Sequence, residues 1–418
     1  MKYTAGNGGT VGAGRPWIPM RESYDGQPAA LRVMAEEIQA QLDAGVVAPD
    51  TGRLTLIGIG ASLAAAATTV YAMRVRGLDA TRMDAGDLPD GYSPPGRVIG
   101  ISQSGRSAEV VDVMSRIEPI RSRAVTNYAP SPLQDAVGSC LNLGDLPDSS
   151  VSVASFTGTL LAFGMMIDYW LGTTDPERWI GTIEAATASA GNNAEVIDQF
   201  AAGLPSVRGI DVVSCAAGLS VAEETALMLR EGPRVPSTGM STRQYLHGPM
   251  DSAGNTAHVV IGTEREATLV EQLAERAEQL LFITPAGLGL RPAGATVIEI
   301  PFEPDRPIEF AIAAIMLTQK LVLATADSVG VEVDAPAFTR LDTKVANAPL
   351  TPTPTTLRNP AAGAGTSGST SSRTSGSTFA RTSGGAGFSS TTSTPGLRSL
   401  WGAISIPGDA PATGGGFA

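Results

Sequence analysis

The chain has little lysine and no cluster of positive charge. Its 418 residues include only Lys2, Lys320 and Lys344 among 29 basic side chains, against 41 acidic ones, which gives a formal net charge of −12. Proteins that bind nucleic acid neutralise phosphates with basic surfaces, and this sequence contains no basic run that would form one. We therefore expect no nucleic-acid partner, and an anion would have to be bound by local backbone and hydroxyl donors.

Cysteine and long apolar stretches are equally scarce. Cys140 and Cys215 are far apart, so the sequence predicts neither a disulfide framework nor a cysteine metal motif. The N-terminal residues lack the apolar centre of a signal peptide, and no uninterrupted apolar stretch reaches the roughly 18 residues that cross a bilayer. We expect a cytoplasmic protein that does not bind membranes. No ligand cluster or dinucleotide fingerprint predicts a metal or an organic cofactor.

The sequence does contain enough apolar residues for a sizeable core. Hydrophobic residues make up 43% of the chain and charged residues 17%, a composition typical of globular proteins. The length allows two domains of ordinary size and an additional segment. From about Gly365 the sequence is rich in Ser, Thr and Gly, and such a segment cannot bury enough apolar surface to offset its ordering entropy. We expect residues 350–418 to form a disordered tail.

Predicted strands and helices alternate in both halves of the chain. Strand, tight turn and helix in succession predict a parallel sheet with helices on both faces, which binds ligands at the carboxyl ends of its strands. The sequence thus predicts an α/β fold with two tandem domains, at residues 29–195 and 196–349, after an N-terminal segment at 1–28. The predicted strands are 54–59, 97–101, 122–126, 139–143, 209–214, 257–261, 280–283 and 296–300, and the predicted helices are 63–76, one ending near 117, 155–171, 222–231, 264–279 and 308–328.

The loop after the second predicted strand, ISQSGRS at residues 101–107, is rich in hydrogen-bond donors. It contains three hydroxyls and an amide, and its glycine lets the backbone approach a ligand closely. Because the loop lies between a strand and a helix, free N–H groups and the positive end of the helix dipole meet there. The pattern predicts a phosphate site, although it is also typical of an ordinary serine-capped helix. Ser62 and Ser155, which follow other strands, would add hydroxyls at the same sheet edge, and each alone is also typical of a cap.

Six segments, in order along the chain, carry a family resemblance. ISQSGRSAEVVDVM is similar to the phosphate loop of the sugar isomerase (SIS) domain, usually ISQSGET, and VASFTGTLLA is similar to that domain's later serine segment. As a set these motifs are specific, they cover about residues 20 to 345, and they resemble the isomerase half of glucosamine-6-phosphate synthase. The resemblance implies two tandem SIS domains. The remaining four segments are MRESYDGQP at 20–28, ALMLRE at 226–231, LHGP at 246–249 and G-x-x-V-D-x-P at 330–336.

The resemblance also implies roles for individual residues. Glu231 matches the family's proton-shuttling glutamate, and His247 matches the ring-opening histidine, which that family contributes across a dimer interface. A homodimer is therefore expected. Taken alone, a glutamate at a helix end is also typical of a solvent-facing residue, and a lone loop histidine is usually structural. The residues implied to hold the phosphate are Ser102, Gln103, Ser104 and Ser107, with Ser62 and Ser155 contacting the sugar or the phosphate.

Several positions depart from the family pattern. Ser23 and Arg106 stand where the family has glutamates, and Met228 stands where it has a lysine. The family's Schiff-base lysine falls on Leu341. Lys344, three residues later, either takes its place as a catalytic residue or is an ordinary surface lysine. Without a Schiff base, isomerisation through an enediol or deamination of an amino sugar stays open.

These observations predict an enzyme that acts on a small phosphosugar. The expected activity is aldose–ketose isomerisation or deamination of a hexose or aminohexose 6-phosphate, with one residue carrying a proton between C1 and C2. One alternative is a non-catalytic phosphosugar-binding regulatory protein. Another is an ammonia-dependent fructose-6-phosphate aminotransferase supplied by a separate glutaminase subunit.

Overall fold

The computed structural model describes residues 10–11, 15–338 and 342–345. The expected tail at 350–418 and the position of Leu341 lie outside these described residues. The α-helices within them are α1 (Met20–Asp43), α2 (Ala61–Val75), α3 (Ala108–Ser115), α4 (Pro132–Asp135), α5 (Ala154–Trp170), α6 (Pro176–Asn192), α7 (Ala194–Ala202), α8 (Leu219–Glu231), α9 (Thr242–Tyr245), α10 (Glu264–Leu273) and α11 (Pro307–Val329).

The strands form two parallel five-stranded sheets and a short antiparallel pair. The strands are β1 (Thr10–Val11), β2 (Arg15–Pro16), β3 (Leu54–Gly58), β4 (Ala80–Asp84), β5 (Arg97–Ser102), β6 (Ser122–Thr126), β7 (Ser139–Asn142), β8 (Ile210–Ser214), β9 (Ser237–Ser241), β10 (Ala257–Ile261), β11 (Gln279–Pro285) and β12 (Thr296–Ile300). The first sheet has the order β4-β3-β5-β6-β7, and the second has the order β12-β11-β10-β8-β9. All neighbours within these two sheets run parallel.

The central strands form because their residues suit burial on both faces. Every residue of β3, β6 and β10 is buried, and these strands are rich in apolar and β-branched side chains. Helices cover the sheets, since a parallel connection has to cross over a face. The predicted α/β class with two parallel sheets flanked by helices is confirmed.

The edges of the sheets depart from the sequence-based prediction. The edge strands β4 and β9 were not predicted because their sequences, ATRMD and STGMS, are polar and only partly buried. The helix predicted to continue to Gln279 ends at Leu273 instead, since Gln279 begins β11 and pairs with Ala257 of β10. Tertiary pairing therefore overrides local helix propensity at this position.

Helix α11 joins the two halves through one core. It packs against α5, α6 and α7 as well as against α8, and the largest hydrophobic cluster includes residues from Met20 to Ala324. Helix α11 has the length and the mean hydropathy of 1.6 that a membrane span requires, but 94% of its most apolar window is buried inside the protein. Its apolar composition is therefore that of a core helix.

The first and last motifs of the chain meet in the fold. The Met20 N–H at the start of α1 donates to Asp334 Oδ1 at 3.0 Å, so the 20–28 and 330–336 motifs are in contact. Helix α1 continues through residue 28, and α7 continues through residues 195 and 196. Both sequence-based domain boundaries thus fall inside helices that pack on the shared core.

Candidate phosphosugar site

A cavity of about 240 Å³ opens at the carboxyl edge of the first sheet, where α2, α3 and α5 begin. Strands β3 and β5 are neighbours, so the loops that follow them adjoin. Helix α8 reaches the same place because it packs along α2, with Ser220 Oγ donating to the Ala64 carbonyl oxygen at 2.6 Å. The lining residues are Ile59, Gly60, Ala61, Ser62, Ala65, Gln103, Ser107, Glu109, Ser150, Ser152, Ser155, Phe156, Thr159, Leu227, Glu231, Thr343 and Lys344.

The six predicted phosphate and sugar contacts divide into two layers. Ser102 and Ser104 are buried, with exposed fractions of 1% and 3%, and they are not among the residues that line the cavity. Ser102 Oγ lies 3.1 Å from Ser107 Oγ, and Ser104 Oγ accepts a hydrogen bond from the Arg106 N–H at 3.3 Å. These two serines therefore support the loop from behind. The four residues that line the cavity are Ser62, Gln103, Ser107 and Ser155.

The loop conformation depends on Gly105. Its φ is +61°, and a Cβ atom at this position would lie 2.1 Å from Ser131 Oγ, so a side chain fits neither the backbone nor the space. Ser107 is the N-cap residue of α3, yet its side chain makes no cap hydrogen bond within the described chain. The hydroxyl faces the cavity and Ser102 instead. This geometry disfavours the interpretation of the loop as a simple serine cap.

A buried carboxylate, Asp148, organises the opposite wall. Asp148 is fully buried and accepts hydrogen bonds from the Ser155 N–H at 2.9 Å and from Gln103 Nε2 at 2.9 Å. Ser155 Oγ also donates to Asp148, and so does Ser23 Oγ at 2.5 Å. A carboxylate at the N-terminus of α5 satisfies free N–H groups and complements the helix dipole. Asp148 therefore fixes Gln103 and Ser155, which both line the cavity.

The segment at 342–345 lies against the phosphate loop. Ser107 and Lys344 form an antiparallel bridge, and the Val345 N–H donates to the Arg106 carbonyl oxygen at 2.9 Å. Lys344 Nζ lies 3.5 Å from both Ser104 Oγ and Ser107 Oγ. Arg106 Nε donates to the Val345 carbonyl oxygen at 2.7 Å, so this substituted position holds the segment in place. Lys344 thus lines the cavity beside the loop hydroxyls.

Of the two residues implied in proton transfer, one is in this cavity. Glu231 is the last residue of α8, is half-buried and lines the cavity. His247 is exposed in the turn after α9 and does not line the cavity formed by this chain. The other histidine, His258, is fully buried, with Nε2 2.8 Å from Tyr245 Oη. His258 is therefore a core residue.

Sequence reasoning missed part of the site. Asp148, Ser150 and Ser152 are not predicted from the sequence, although the run DSSVSVAS has the clustered hydroxyls that are typical of the residues before a helix. Glu109 and Thr343 carried no distinguishing pattern, since a glutamate in a first turn is common. The missed cavity residues with polar side chains are Glu109, Ser150, Ser152, Thr159 and Thr343.

Comparisons with solved structures support the fold. No protein-family profile and no curated protein matches the chain. The C-terminal domain of glucosamine-fructose-6-phosphate aminotransferase from Francisella tularensis is 18% identical, with a TM-score of 0.64 over 76% of this chain and 98% of that one. Tagatose-6-phosphate ketose/aldose isomerase from Escherichia coli is 17% identical, with a TM-score of 0.64 over 77% and 95%.

A third similar structure comes from a deaminase. Glucosamine-6-phosphate deaminase from Thermotoga maritima is 20% identical, with a TM-score of 0.61 over 77% of this chain and 98% of the other. These identities are low, so the likeness establishes architecture and leaves the reaction to the residues of the site. The chain therefore has the tandem SIS fold that these phosphosugar isomerase, deaminase and aminotransferase structures share, as the sequence motifs predicted.

Proposed function

We propose that this protein is a phosphosugar enzyme, an aldose–ketose isomerase or a deaminase of a hexose or aminohexose 6-phosphate. The observation that carries the proposal is that one cavity collects the Ser107 hydroxyl and the Gln103 amide of the 101–107 loop, the ammonium of Lys344 and the carboxyl group of Glu231. Phosphate binding and proton transfer need such groups on opposite sides of one small ligand.

The phosphate binds at the loop end of the cavity. Ser107 and Gln103 offer side-chain donors, the start of α3 offers the positive end of its dipole, and Lys344 supplies a positive charge in an otherwise acidic protein. Lys344 Nζ is already 3.5 Å from the Ser107 hydroxyl, so it is placed to neutralise the phosphate. This role requires no Schiff base.

Glu231 then acts on the carbons of the open-chain sugar. Its carboxylate takes the proton from C2 of the aldose, which gives an enediol, and then returns this proton to C1. The hydroxyl proton of O2 moves to O1, so the product is the ketose. With an amino group at C2 the same transfer gives an imine, and water hydrolyses this imine to the ketose and ammonia. The two reactions therefore share one base.

His247 serves ring opening in the site of a second subunit. It is exposed and outside the cavity of its own chain, whereas a general acid or base has to reach the ring oxygen within hydrogen-bond distance. A homodimer with a shared site satisfies this requirement.

The test is solvent deuterium exchange. Purified protein is incubated in D2O with fructose 6-phosphate or glucosamine 6-phosphate, and the C1 and C2 proton signals are followed by NMR. We expect loss of these signals with formation of a new hexose phosphate or of ammonia, and no exchange in the Glu231→Gln variant. Exchange that persists in Glu231→Gln rejects this residue as the base. Binding of a phosphosugar without exchange by the wild-type protein favours the regulatory alternative.

A further inference from the structure

Helix α8 carries a second carboxyl group toward the site. Glu224, Leu227 and Glu231 are spaced i, i+3 and i+7, which places them on one face of the helix. Leu227 and Glu231 line the cavity, and Glu224 lies two turns deeper, with 1% of its surface exposed. No step proposed above uses Glu224.

Glu224 has no positive partner in the described part of the chain. Its Oε2 atom is buried without a hydrogen-bond donor or acceptor there. The elements that pack on α8 are α2, α11, β8 and β9, and none of their described residues presents a charged group to Glu224. Its charged neighbours are Glu231 on the same helix and Asp148 from the loop before α5, which are both acidic. The residue one turn on, Met228, is fully buried and apolar.

A carboxyl group that is buried without a positive partner and has acidic neighbours is costly to ionise. An isolated buried carboxylate costs several kcal/mol or more, so such a group holds its proton instead. Asp148 differs from Glu224 because it accepts hydrogen bonds from the backbone N–H groups of Ser149 and Ser155. Burial raises the pKa of Glu224 well above its ordinary value of 4.5, and the charges of Glu231 and Asp148 raise this pKa further.

We propose that Glu224 is a protonated carboxylic acid in the working enzyme, and that this neutral acid is a positioning residue that places no second negative charge on the face of α8 that carries the base Glu231. Because Glu224 has given up its charge, Glu231 does not face a second anion along α8. The role of Glu224 rests on the proposed function of Glu231, but its protonation does not.

The protonation of Glu224 has a consequence for stability that needs no substrate. Above pH 4.5 an unfolded glutamate releases its proton, while the folded chain retains the proton on Glu224. The folded state then binds more protons than the unfolded state, so wild-type stability falls as pH rises from 4.5 toward the folded pKa. A glutamine at this position has the shape of the neutral acid and carries no such penalty.

The experiment compares melting temperatures across pH. The Tm of Glu224→Gln is expected to match the wild type near pH 4.5 and to exceed it by a margin that grows from pH 5 to pH 8. The control is Glu223→Gln on the same helix, which breaks the bidentate ion pair with Arg82 at 2.5 and 2.6 Å and is expected to lower Tm at pH 7. A Glu224→Gln margin that is constant or shrinks as pH rises overturns the proposal.

Two further measurements test the proposal, and the first of them needs no variant. The wild-type protein at pH 7 should show the infrared carbonyl band of a protonated carboxyl group, and its absence would mean that Glu224 is ionised. Ionisation of Glu224 at alkaline pH would place a second negative charge near the base, so wild-type turnover in deuterium exchange is expected to decline there, and this decline should be missing in Glu224→Gln. An unchanged alkaline limb refutes the positioning role alone, whereas a carboxyl band without any exchange refutes the proposed function alone.

Discussion

At the scale of single residues, the phosphate end of the cavity depends on hydroxyl positions and one ammonium group. Ser107 keeps its hydroxyl toward the cavity because Ser102 lies behind it at 3.1 Å. Lys344 Nζ lies 3.5 Å from Ser107 Oγ and from Ser104 Oγ, although Lys344 is far from both serines in sequence. Lys344 is exposed, so it contributes less to the free energy of binding than a buried lysine would, because water screens its charge.

Replacing Lys344 with methionine should weaken phosphosugar binding. A charge-assisted hydrogen bond is worth roughly 1.5–3 kcal/mol, and screening at an exposed site reduces this to about a tenfold rise in Kd. Isothermal titration with fructose 6-phosphate measures the change. Lys344→Arg should retain most of the affinity. Lys320→Met is the control, since Lys320 pairs with Asp198 at 2.6 Å and does not line the cavity.

Two results would contradict this role of Lys344. An unchanged Kd in Lys344→Met would make it a surface lysine. Covalent attachment of the ketose to Lys344 after borohydride reduction would instead assign the Schiff-base role that the family resemblance implies.

At the scale of elements, α5 depends on a cap that does not come from its own N-cap position. The N-cap residue is Val153, whose side chain cannot accept a hydrogen bond, and the carboxylate of Asp148 replaces it. The same carboxylate holds Gln103 of the phosphate loop. The start of α5 and the loop after β5 are therefore fixed by one side chain.

The Asp148→Asn variant should lose stability and phosphate affinity together. An asparagine amide has the same shape as the carboxylate, but its NH2 group would face the N–H and O–H donors that Asp148 now accepts from. Each buried N–H left without an acceptor costs about 1–3 kcal/mol, so we expect the free energy of unfolding to fall by at least about 3 kcal/mol. Urea denaturation measures it. Asp175→Asn at the exposed start of α6 is the matched control, because asparagine caps as well as aspartate and the change should stay within about 0.5 kcal/mol. Equal losses in the two variants would refute the role of Asp148.

At the scale of the whole molecule, the proposed function calls for a homodimer with shared sites. His247 lies outside the cavity of its own chain, so a chain lacking Glu231 and a chain lacking His247 carry complementary defects. Helix α11 and the common core hold the two sheets of each chain in one unit. The defects are therefore expected to be exchangeable between subunits.

Mixing two inactive variants should restore activity. Glu231→Gln and His247→Ala are each expected to be inactive. After subunit exchange half of the dimers are mixed, and each mixed dimer has one intact site of its two. The mixture should therefore show about a quarter of wild-type activity. Turnover after joint refolding measures it, with each variant refolded alone as the control. Failure to recover activity, with dimers present, would refute a shared site.

The sequence by itself determined the α/β class and the central strands, and it singled out six of the residues that line the cavity. Alternation of buried strands with helices is a local pattern, and the loop at 101–107 carries its donors within seven residues. Such features can be predicted from the sequence because they depend on residues that are close together in the chain. The prediction for Glu231 rested on a matched motif. The packing of α8 along α2 brings the Glu231 side chain to the cavity.

Only the tertiary structure decided which groups share a cavity and which are buried without a partner. The edge strands β4 and β9 form because a neighbouring strand supplies their hydrogen bonds, and no local pattern records that. Lys344 reaches the phosphate loop, Asp148 caps a helix several residues away, and Glu224 lies among other carboxyl groups. Contacts between distant parts of the chain set charge and burial, and these in turn set the chemistry of the site.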